Sequence, residues 1–247
     1  MVSASHSSPA QHEPRRPSKL SPEAELHALL LERPAMAREL PSFDPAGAPD
    51  RPGDLFVAWL VAAMRAGVPD AQVVTLSTVA AVGGPDARVV ALREVEAAAG
   101  VWWFAGDARS PKGRQLAAVP RAALTFYWPE LGRQVRVRGR VAVGAPERAA
   151  AVFQLLSPRT RTAALVGRQS EPMGAAADFG QAWGSARAAL AADGAIVADG
   201  YTQYAVHAEE VEFWQGDADR AHVRLLYRRA AERSAEAPVW ERGLRWP

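Results

Sequence analysis

The side chains with the clearest chemical potential lie near the end of the chain, where cationic residues recur at alternate positions. Arg220, His222 and Arg224 come shortly after a tryptophan, Trp214. If this run is extended, the two-residue period of a strand places all three side chains on one face. Guanidinium and imidazole groups beside an indole could bind an anion and a flat ring. The alternative is a solvated strand edge whose charges only discourage aggregation.

The composition is that of an ordinary globular protein. The 247 residues are 49% hydrophobic, which is enough for a buried core. A net charge of +2 gives no argument for nucleic acid as a partner, so any basic chemistry must be local. The lack of cysteine excludes disulfides and thiolate chemistry, and we expect no metal site. No signal peptide and no run of roughly 20 apolar residues is visible, so we expect a cytoplasmic protein that does not bind membranes.

The pattern of elements predicts a mainly β fold with flanking helices. Residues 1–20, rich in Ser, Pro, His and Arg, are expected to form a disordered tail, and residues 21–247 one domain. Helical spacing of apolar residues, as in Phe56, Trp59 and Ala63, alternates with short runs joined by tight turns. The predicted helices cover 22–31, 52–66, 146–156 and 176–192, and the predicted strands cover 73–79, 88–93, 100–105, 122–128, 134–143, 201–206, 211–214 and 222–227. Because no strand–helix–strand rhythm is present, we expect one antiparallel β-barrel with helices packed outside it.

Laid in order, several segments resemble the pyridoxamine 5′-phosphate oxidase family of FMN enzymes and, in detail, its phenazine-biosynthesis members. The resemblance extends from about residue 55 to residue 247. The segments are LFVAWL (55–60), TLSTV (75–79), RVVALR (88–93), SPKGRQL (110–116), RQV (133–135), RQSE (168–171) and EFWQG (212–216), followed by Arg220, His222 and Arg224. The resemblance implies a split β-barrel that binds FMN at the interface of a homodimer.

The resemblance also implies a set of cofactor-binding residues. Arg88 and Lys112 would neutralise the FMN phosphate with help from the hydroxyl of Ser110, and Trp214 and Arg224 would complete the pocket from across the dimer. The full set is Arg88, Val89, Val90, Arg93, Phe104, Ala105, Ser110, Lys112, Gln134, Gln169, Ser170, Trp214 and Arg224. The chain departs from the family where Pro111 replaces a second basic residue, so Arg109 could reach the phosphate instead. Without the family context, Lys112 and Arg114 could instead form a solvated helix start, and Val89, Val90 and Phe104 are expected in the core whatever the function.

For the substrate, the resemblance implies Arg220 and His222 as the catalytic pair over the open face of the flavin. Arg93, Phe153 and Ser157 take the remaining substrate positions. Phe153 replaces a tyrosine of the vitamin B6 oxidases, and Ser157 stands where their substrate-phosphate arginine is expected. Either Arg159 or Arg161 could replace that arginine. Losing both groups would cost a phosphate site about 2–5 kcal/mol.

These features predict an FMN-dependent oxidase that removes a hydride from a reduced, dihydrophenazine-like ring or an amine. Molecular oxygen would be the acceptor and hydrogen peroxide the product, and we expect the enzyme to act in specialised metabolism. One alternative is a pyridoxamine or pyridoxine 5′-phosphate oxidase of vitamin B6 metabolism. An alternative of another class is a non-catalytic split barrel that binds flavin or haem, and a third is a dimeric scaffold without a cofactor. The partners expected are a second copy of the chain, a small-molecule substrate and O2.

Overall fold

A computed structural model describes residues 20–230 and 238–247 of the chain. Its contacts define two units, one ending at Ala37 and one running from Arg38 to Pro247. In the first unit, helix α1 (Pro22–Glu32) begins at Ser21, whose side chain accepts a hydrogen bond from the Ala24 backbone (3.3 Å). The helix predicted over 22–31 is therefore present. The tail predicted over 1–20 lies, apart from its last residue, outside the described residues, and the single domain over 21–247 stays a prediction.

The described part of the second unit is built on eight antiparallel strands. In sheet order they run β3-β2-β1-β4-β5-β6-β7-β8, and an additional pairing of β3 with β6 closes the first six into a barrel. This confirms the mainly β fold with flanking helices and the split-barrel architecture. The strands are β1 (Val73–Val79), β2 (Pro85–Glu96), β3 (Val101–Asp107), β4 (Arg121–Trp128), β5 (Arg133–Val143), β6 (Tyr201–Gln215), β7 (Val223–Arg229) and β8 (Trp240–Arg245).

Strand β6 connects the barrel to the outer strands β7 and β8, because its two halves pair with different neighbours. Residues 201–207 pair with β3, whereas residues 210–215 pair with β7. The other edge of β6 pairs with β5 along both halves, with a bulge next to Gly139. A Cβ atom at Gly139 would collide with the carbonyl oxygen of His207, so this close approach requires glycine. The two strands predicted over 201–206 and 211–214 are thus one continuous strand.

The core is aromatic and is closed by helix α2 (Pro52–Arg65). Phe56, Trp59 and Ala63 are buried, as the helical spacing predicts. The Phe56 ring packs edge-on against Trp102 (5.5 Å between centroids) and Phe126 (4.8 Å). Burial of each such ring contributes about 2–3 kcal/mol, so this cluster fixes α2 against the barrel.

The α-helices that follow in the part of the chain that the structure describes are α3 (Pro111–Ala118), α4 (Pro146–Leu155), α5 (Pro158–Val166) and α6 (Ala176–Ala192). The helices predicted over 146–156 and 176–192 are present. Helices α3 and α5 and strand β8 were not among the predicted elements. No helix in the described ranges 20–230 and 238–247 has the length and apolar character needed to cross a membrane.

The predicted alternation of Arg220, His222 and Arg224 along one strand is wrong. Arg220 has a φ of +66° and lies in the turn between β6 and β7, and the strand begins only at Val223. The Asp217 side chain organises this turn by accepting hydrogen bonds from the backbone of Asp219 (2.8 Å) and Ala221 (3.3 Å). The backbone of this turn therefore sets the positions of Arg220 and His222, and the alternation of a strand does not.

Candidate functional site

An open backbone edge forms the centre of the candidate site. Residues 85–91 of β2 pair with β1, but β3 pairs with β2 only from Leu92 onward. Among the described residues, no strand covers the other edge of 86–91. A cavity of about 460 Å³ lies along this edge and is lined by residues 86–91, Ala105 and Gly106 of β3, Pro111 and Lys112 of α3, and Gln169 and Ser170. We call it the first cavity; its bare backbone groups can bind a polar ring edge.

Arg88 is held in the first cavity by a dense set of contacts. Its guanidinium donates hydrogen bonds to the hydroxyl of Thr78 and to Oε1 of Gln115 (3.0 Å). It also forms an ion pair with Asp86 (2.6 Å), and its side chain is only 21% exposed. Hydrogen bonding from Gln115, followed by the charge of Arg88, lowers the pKa of Asp86 despite some desolvation. The guanidinium is thus fixed in place before any ligand arrives.

Lys112 is a buried cation without a carboxylate partner among the described residues. Its Nζ donates to the hydroxyl of Ser110 (3.1 Å) and to Oε1 of Gln169. Burial is the main cause that lowers the pKa of Lys112, and the positive charge of Arg88 lowers it further, whereas Asp107 acts in the opposite direction. Because Arg88 is paired with Asp86, the charge of Lys112 is the uncompensated one; it is costly to hold in a shielded cavity and attracts an anion.

Local structure explains how Lys112 reaches this position. Ser110 caps α3: its side chain accepts a hydrogen bond from the Gly113 backbone (3.4 Å) and donates one to the carbonyl of Asp107 (2.6 Å). The Lys112 side chain then crosses the backbone of Gly106, where an added Cβ would lie 2.6 Å from its Cε. The bare backbone at Gly106 therefore leaves room for the lysine.

These groups fit the phosphate and ring of FMN. Two fixed cations and a helix start suit a phosphate dianion, and the open edge of β2 together with Val89 and Val90 suits a flat ring with a polar rim. Of the residues implied by the resemblance, the structure brings together Arg88, Val89, Val90, Ala105, Lys112, Gln169 and Ser170 around this cavity, with Ser110 bonded to Lys112.

Arg109 and Phe104 have other roles. The Arg109 guanidinium binds the Asp107 carboxylate (2.9 Å) and the carbonyl of Gly167 (3.2 Å), so it is not directed at the first cavity. Burial is the largest single influence on the Asp107 carboxyl and would raise its pKa, but the hydrogen bonds and charge of Arg109 together outweigh it and lower the pKa. Phe104 is fully buried and stacks on Tyr204 (5.2 Å between centroids) as part of the core. Phe104 thereby anchors β3 beside Ala105, which does line the cavity.

A second cavity of about 400 Å³ adjoins the first and shares Ala105, Gly106 and Gln169 with it. Arg93, Tyr201 and residues of α5 and α6 complete its wall. Arg93 occupies a β-bulge, because Leu92 pairs with Phe104 while Glu94 pairs with Trp103. Bulges redirect side chains next to binding sites, and this one places Arg93 on the cavity wall.

Phe153 and Ser157, implied as substrate residues, do not line either cavity. Phe153 is fully buried, and the hydroxyl of Ser157 caps α5 by accepting a hydrogen bond from the Thr160 backbone (3.2 Å). Arg161 donates to the carbonyls of Gly194 (2.6 Å) and Ile196 (3.1 Å), with its guanidinium 5.2 Å from the Phe153 ring centroid. Arg161 is therefore used to hold the loop before β6.

The remaining implied residues form a separate cluster on β5, β6 and the turn before β7. Gln134 pairs with Trp214, which in turn pairs with Arg224. Arg224 binds Glu212 (3.0 Å) and the carbonyl of Trp246 (2.9 Å). None of these residues lines the first or second cavity within one chain. Their place across a dimer stays a prediction.

His222 belongs to this cluster and has a defined orientation. Its ring lies 4.8 Å from the Trp214 ring, and its Nδ1 accepts a hydrogen bond from the Asp217 backbone (3.0 Å). An accepting Nδ1 carries no proton, so the neutral imidazole has its proton on Nε2. His222 can thus donate a hydrogen bond from the nitrogen that faces away from the turn.

Sequence reasoning missed the residues that shape the second cavity. Tyr201, Phe179 and Trp183 all line it, yet they come from two elements that are distant from Arg93 along the chain. The helical spacing of Phe179 and Trp183 was visible, but spacing alone does not say which element a helix faces. Gln115, which bridges Arg88 and Asp86, was likewise not singled out.

Comparison with known proteins supports the same reading. Residues 60–215 match the pyridoxamine 5′-phosphate oxidase family. Residues 201–247 match the family of the pyridoxine 5′-phosphate oxidase C-terminal dimerisation region. A pyridoxine/pyridoxamine 5′-phosphate oxidase of Pseudomonas fluorescens (strain SBW25) is 35% identical over 185 residues, which cover 74% of this chain and 85% of the relative. One of Burkholderia ambifaria is 36% identical over 209 residues, covering 81% and 90%.

Two solved structures share the fold. The first is PhzG from Burkholderia lata 383 in complex with tetrahydrophenazine-1-carboxylic acid, with a TM-score of 0.73, 23% identity, and coverage of 85% of this chain and 100% of that one. The second is a pyridoxamine 5′-phosphate oxidase-related, FMN-binding protein from Nostoc punctiforme PCC 73102, with a TM-score of 0.63, 20% identity, and coverage of 79% and 97%.

Proposed function

Because the chain belongs to the pyridoxamine 5′-phosphate oxidase family of FMN-dependent oxidoreductases, we propose that it binds FMN in the first cavity and oxidises a reduced heteroaromatic ring or an amine. The substrate occupies the second cavity, and O2 is the final acceptor. The observation that supports this most is the meeting of Arg88, buried Lys112 and an open strand edge in one cavity that adjoins another.

In this proposal each part of the first cavity has a role in holding FMN. Arg88 and Lys112 bind the phosphate, and the buried setting strengthens both contacts because little water competes. The uncovered backbone of 86–91 and the side chains of Gln169 and Ser170 offer hydrogen bonds to the ring. Gln134, Trp214 and Arg224 complete the site from the second subunit, in keeping with the match of 201–247 to a dimerisation region.

When bound, FMN supplies a hydride acceptor that O2 can reoxidise with release of hydrogen peroxide. The protein's contribution is placement and exclusion of water. Arg220 and His222 hold the substrate from the partner subunit, with His222 donating a hydrogen bond from Nε2, because its Nδ1 already accepts one from Asp217. The side chains of α5 and α6 that line the second cavity would limit the access of water to the substrate.

The second cavity favours a ring over a phosphate ester. Its wall includes Phe179 and Trp183, and Arg161 is committed to two backbone carbonyls. A phosphate dianion normally needs several cations and donors. The substrate we propose is therefore a reduced, dihydrophenazine-like heteroaromatic compound, as expected of an enzyme of specialised metabolism.

A second candidate is the oxidation of pyridoxine or pyridoxamine 5′-phosphate. It is supported by the names of curated relatives that are 35–36% identical to this chain over most of its length. In this case Arg93 would be the main cation for the substrate phosphate.

Anaerobic reduction of the bound flavin separates these functions. The purified protein, loaded with FMN, is mixed without oxygen with a dihydrophenazine carboxylate, with pyridoxine 5′-phosphate or with pyridoxamine 5′-phosphate. We expect rapid loss of the flavin absorbance with the first compound, and its return together with hydrogen peroxide when oxygen is admitted. Faster reduction by a vitamin B6 phosphate would support the second candidate. A flavin that none of the three reduces would support a non-catalytic flavin-binding barrel instead.

A further inference from the structure

A carboxylate shares the wall of the first cavity with the two cations. Among the described residues that line this cavity, Asp86 is the one anion, and it stands with Arg88 and Lys112. Positions 86 and 88 lie on the same face of β2, because side chains alternate along a strand. The Asp86 carboxylate lies 2.6 Å from Nη2 of Arg88. The fixed guanidinium of the cavity therefore already holds an anion that belongs to the chain.

The terminal nitrogens of the Arg88 guanidinium are fully engaged. Nη1 donates to the hydroxyl of Thr78 and to the carbonyl of Leu76 (3.3 Å). Nη2 donates to Oε1 of Gln115 (3.0 Å) and contacts Asp86. An arginine binds a phosphate through a pair of nitrogens, either Nη1 with Nη2 or Nε with Nη2, so both modes need a hydrogen of Nη2. A phosphate can bind Arg88 in this way only after one partner of Nη2 has left.

Of the two partners of Nη2, Asp86 is the one that can leave. The Gln115 amide is held by a further contact, because its Oε1 also accepts a hydrogen bond from Thr78 (2.6 Å). The Asp86 side chain is 42% exposed and lies at the start of β2. A carboxylate that turns from a partly exposed ion pair into water loses little free energy. The exchange of Asp86 for another anion is therefore the easier one.

The charges of the first cavity favour the same exchange. While Asp86 neutralises Arg88, only Lys112 contributes an uncompensated charge. A phosphate monoester carries a charge of about −1.5 to −2 at neutral pH. Once Asp86 has turned away, two cations face this charge and the carboxylate no longer repels it at close range. The charge of the cavity then matches that of the phosphate.

We propose that the Asp86 carboxylate takes the place of the flavin phosphate on Arg88 in the flavin-free chain and that FMN displaces it. This rests on the proposed function, because it assigns an internal competitor to the phosphate site. The phosphate oxygens then accept hydrogen bonds from Nη2 of Arg88 and from Nε2 of Gln115, which donates to Asp86 in the structure (2.8 Å). A phosphate without a ring competes poorly with Asp86, whereas FMN adds the contacts of its ring. Asp86 thereby favours the whole cofactor over smaller phosphates.

The variant Asp86→Asn tests this exchange, because it keeps the size of the side chain and removes its charge. The flavin-free protein is titrated with FMN and with riboflavin, and binding is followed by the quenching of flavin fluorescence. We expect the variant to bind FMN about tenfold more tightly than the unmodified protein does, and riboflavin with an affinity within about twofold. The gain is confined to FMN because riboflavin has no phosphate to compete with Asp86.

Glu94→Gln is the matched control. Glu94 lies on the same strand, is 50% exposed and pairs with Arg148 (2.6 Å), but it lines neither the first nor the second cavity. This variant changes the net charge by the same amount as Asp86→Asn, so an effect of overall charge would appear in both. We expect Glu94→Gln to leave the affinities for FMN and riboflavin unchanged.

Melting temperatures show whether Asp86 leaves Arg88 when FMN binds. Without flavin, Asp86→Asn should melt about 2–4 °C below the unmodified protein, because the ion pair is lost. With saturating FMN it should melt no lower, since the phosphate has then replaced the pair in both proteins. An equal fall with and without FMN would show that Asp86 stays on Arg88, and the exchange would be overturned.

The titrations can overturn the exchange as well. It is wrong if Asp86→Asn binds FMN no more tightly than the unmodified protein, or if the affinity for riboflavin rises by as much. If the unmodified protein binds neither flavin, the proposed function fails, and inorganic phosphate then decides the exchange. At equal ionic strength, phosphate should raise the melting temperature of Asp86→Asn and leave that of the unmodified protein nearly unchanged. The same response in both proteins would contradict it.

Discussion

The buried charge of Lys112 lowers the stability of the folded chain but favours the binding of an anion. It is buried, lacks a carboxylate partner among the described residues, and has a lowered pKa because burial and Arg88 disfavour its charge. The unfolded chain therefore binds the Lys112 proton more readily than the folded one, so stability rises as the pH increases towards the ordinary lysine range. An anion bound in the first cavity would offset the free-energy cost of burying the Lys112 charge.

Replacement of this lysine should separate folding from binding. We expect Lys112→Met to raise the melting temperature of the flavin-free protein, because a buried charge is replaced by an apolar side chain of similar length. The affinity for FMN should fall by about tenfold or more. Arg114→Met, an exposed cation on the same helix, is the control and should change neither quantity. Full FMN affinity in the Lys112→Met variant would show that Lys112 does not bind the phosphate.

His222 is expected to act on the substrate and not on the cofactor. Because its Nδ1 is engaged by the Asp217 backbone, its available donor is Nε2. We predict that His222→Ala retains FMN but turns over the true substrate about tenfold more slowly, the effect of losing one hydrogen bond to a polar group. Steady-state rates and flavin content measured on the same preparation check this. Unchanged turnover would show that His222 does not act on the substrate.

The family resemblance predicted much of the first cavity but less of the second. Arg88, Lys112, Gln169 and Ser170 were implied by their motifs, and they do meet. Phe153 and Ser157 were implied in the same way, yet they are used for packing and capping. A motif preserves position along the chain, whereas the direction of a side chain depends on neighbours from other elements.

Elements were predictable where their pattern is periodic. Helix α2 has a clear apolar stripe that the barrel buries, and its position follows from it. Helix α5 has only Thr162 buried, so its sequence lacks a stripe to recognise. The turn before β7 depends on hydrogen bonds to the Asp217 side chain. The alternating cations in the sequence instead predicted a strand there.

The crossing of β3 by Lys112 gives a prediction about backbone space. A methyl group at Gly106 would lie 2.6 Å from Lys112 Cε, and the flexible lysine would move to make room. We expect Gly106→Ala to fold normally and to bind FMN about tenfold more weakly, because the ammonium leaves the phosphate position. Gly84→Ala is the control, since nothing lies within 4 Å of the added group. Equal FMN affinity in the two variants would show that the lysine position is not critical.

The residues that the resemblance implies for the FMN site fall into two clusters, which the described residues of one chain do not bring together. Arg88 and Lys112 line the first cavity, while Trp214 and Arg224 lie on strands elsewhere, within the region 201–247 that matches a dimerisation model. A homodimer with twofold symmetry can bring one cluster from each subunit together twice. In the sequence this arrangement was implied only by the family resemblance, because a pairing between chains leaves no periodic pattern in either.

Mixed dimers test the shared site. Arg88→Ala and Trp214→Ala should each bind FMN poorly as homodimers. A heterodimer of the two variants, isolated with two different affinity tags, has both changes in one site and neither in the other. We expect it to bind one FMN per dimer with the affinity of the unmodified protein. If the heterodimer binds no better than its parents, the two clusters do not form a shared site.

The central claim is that Arg88 and Lys112 hold the phosphate of a flavin, and a comparison of FMN with riboflavin tests it most directly. The two ligands differ only in the phosphate, so their affinities isolate its contribution. We predict that FMN binds about a hundredfold or more tightly than riboflavin, and that the Arg88→Ala and Lys112→Met double variant loses nearly all of this difference. Equal binding of FMN and riboflavin by the unmodified protein, or an undiminished preference in the double variant, would contradict the account.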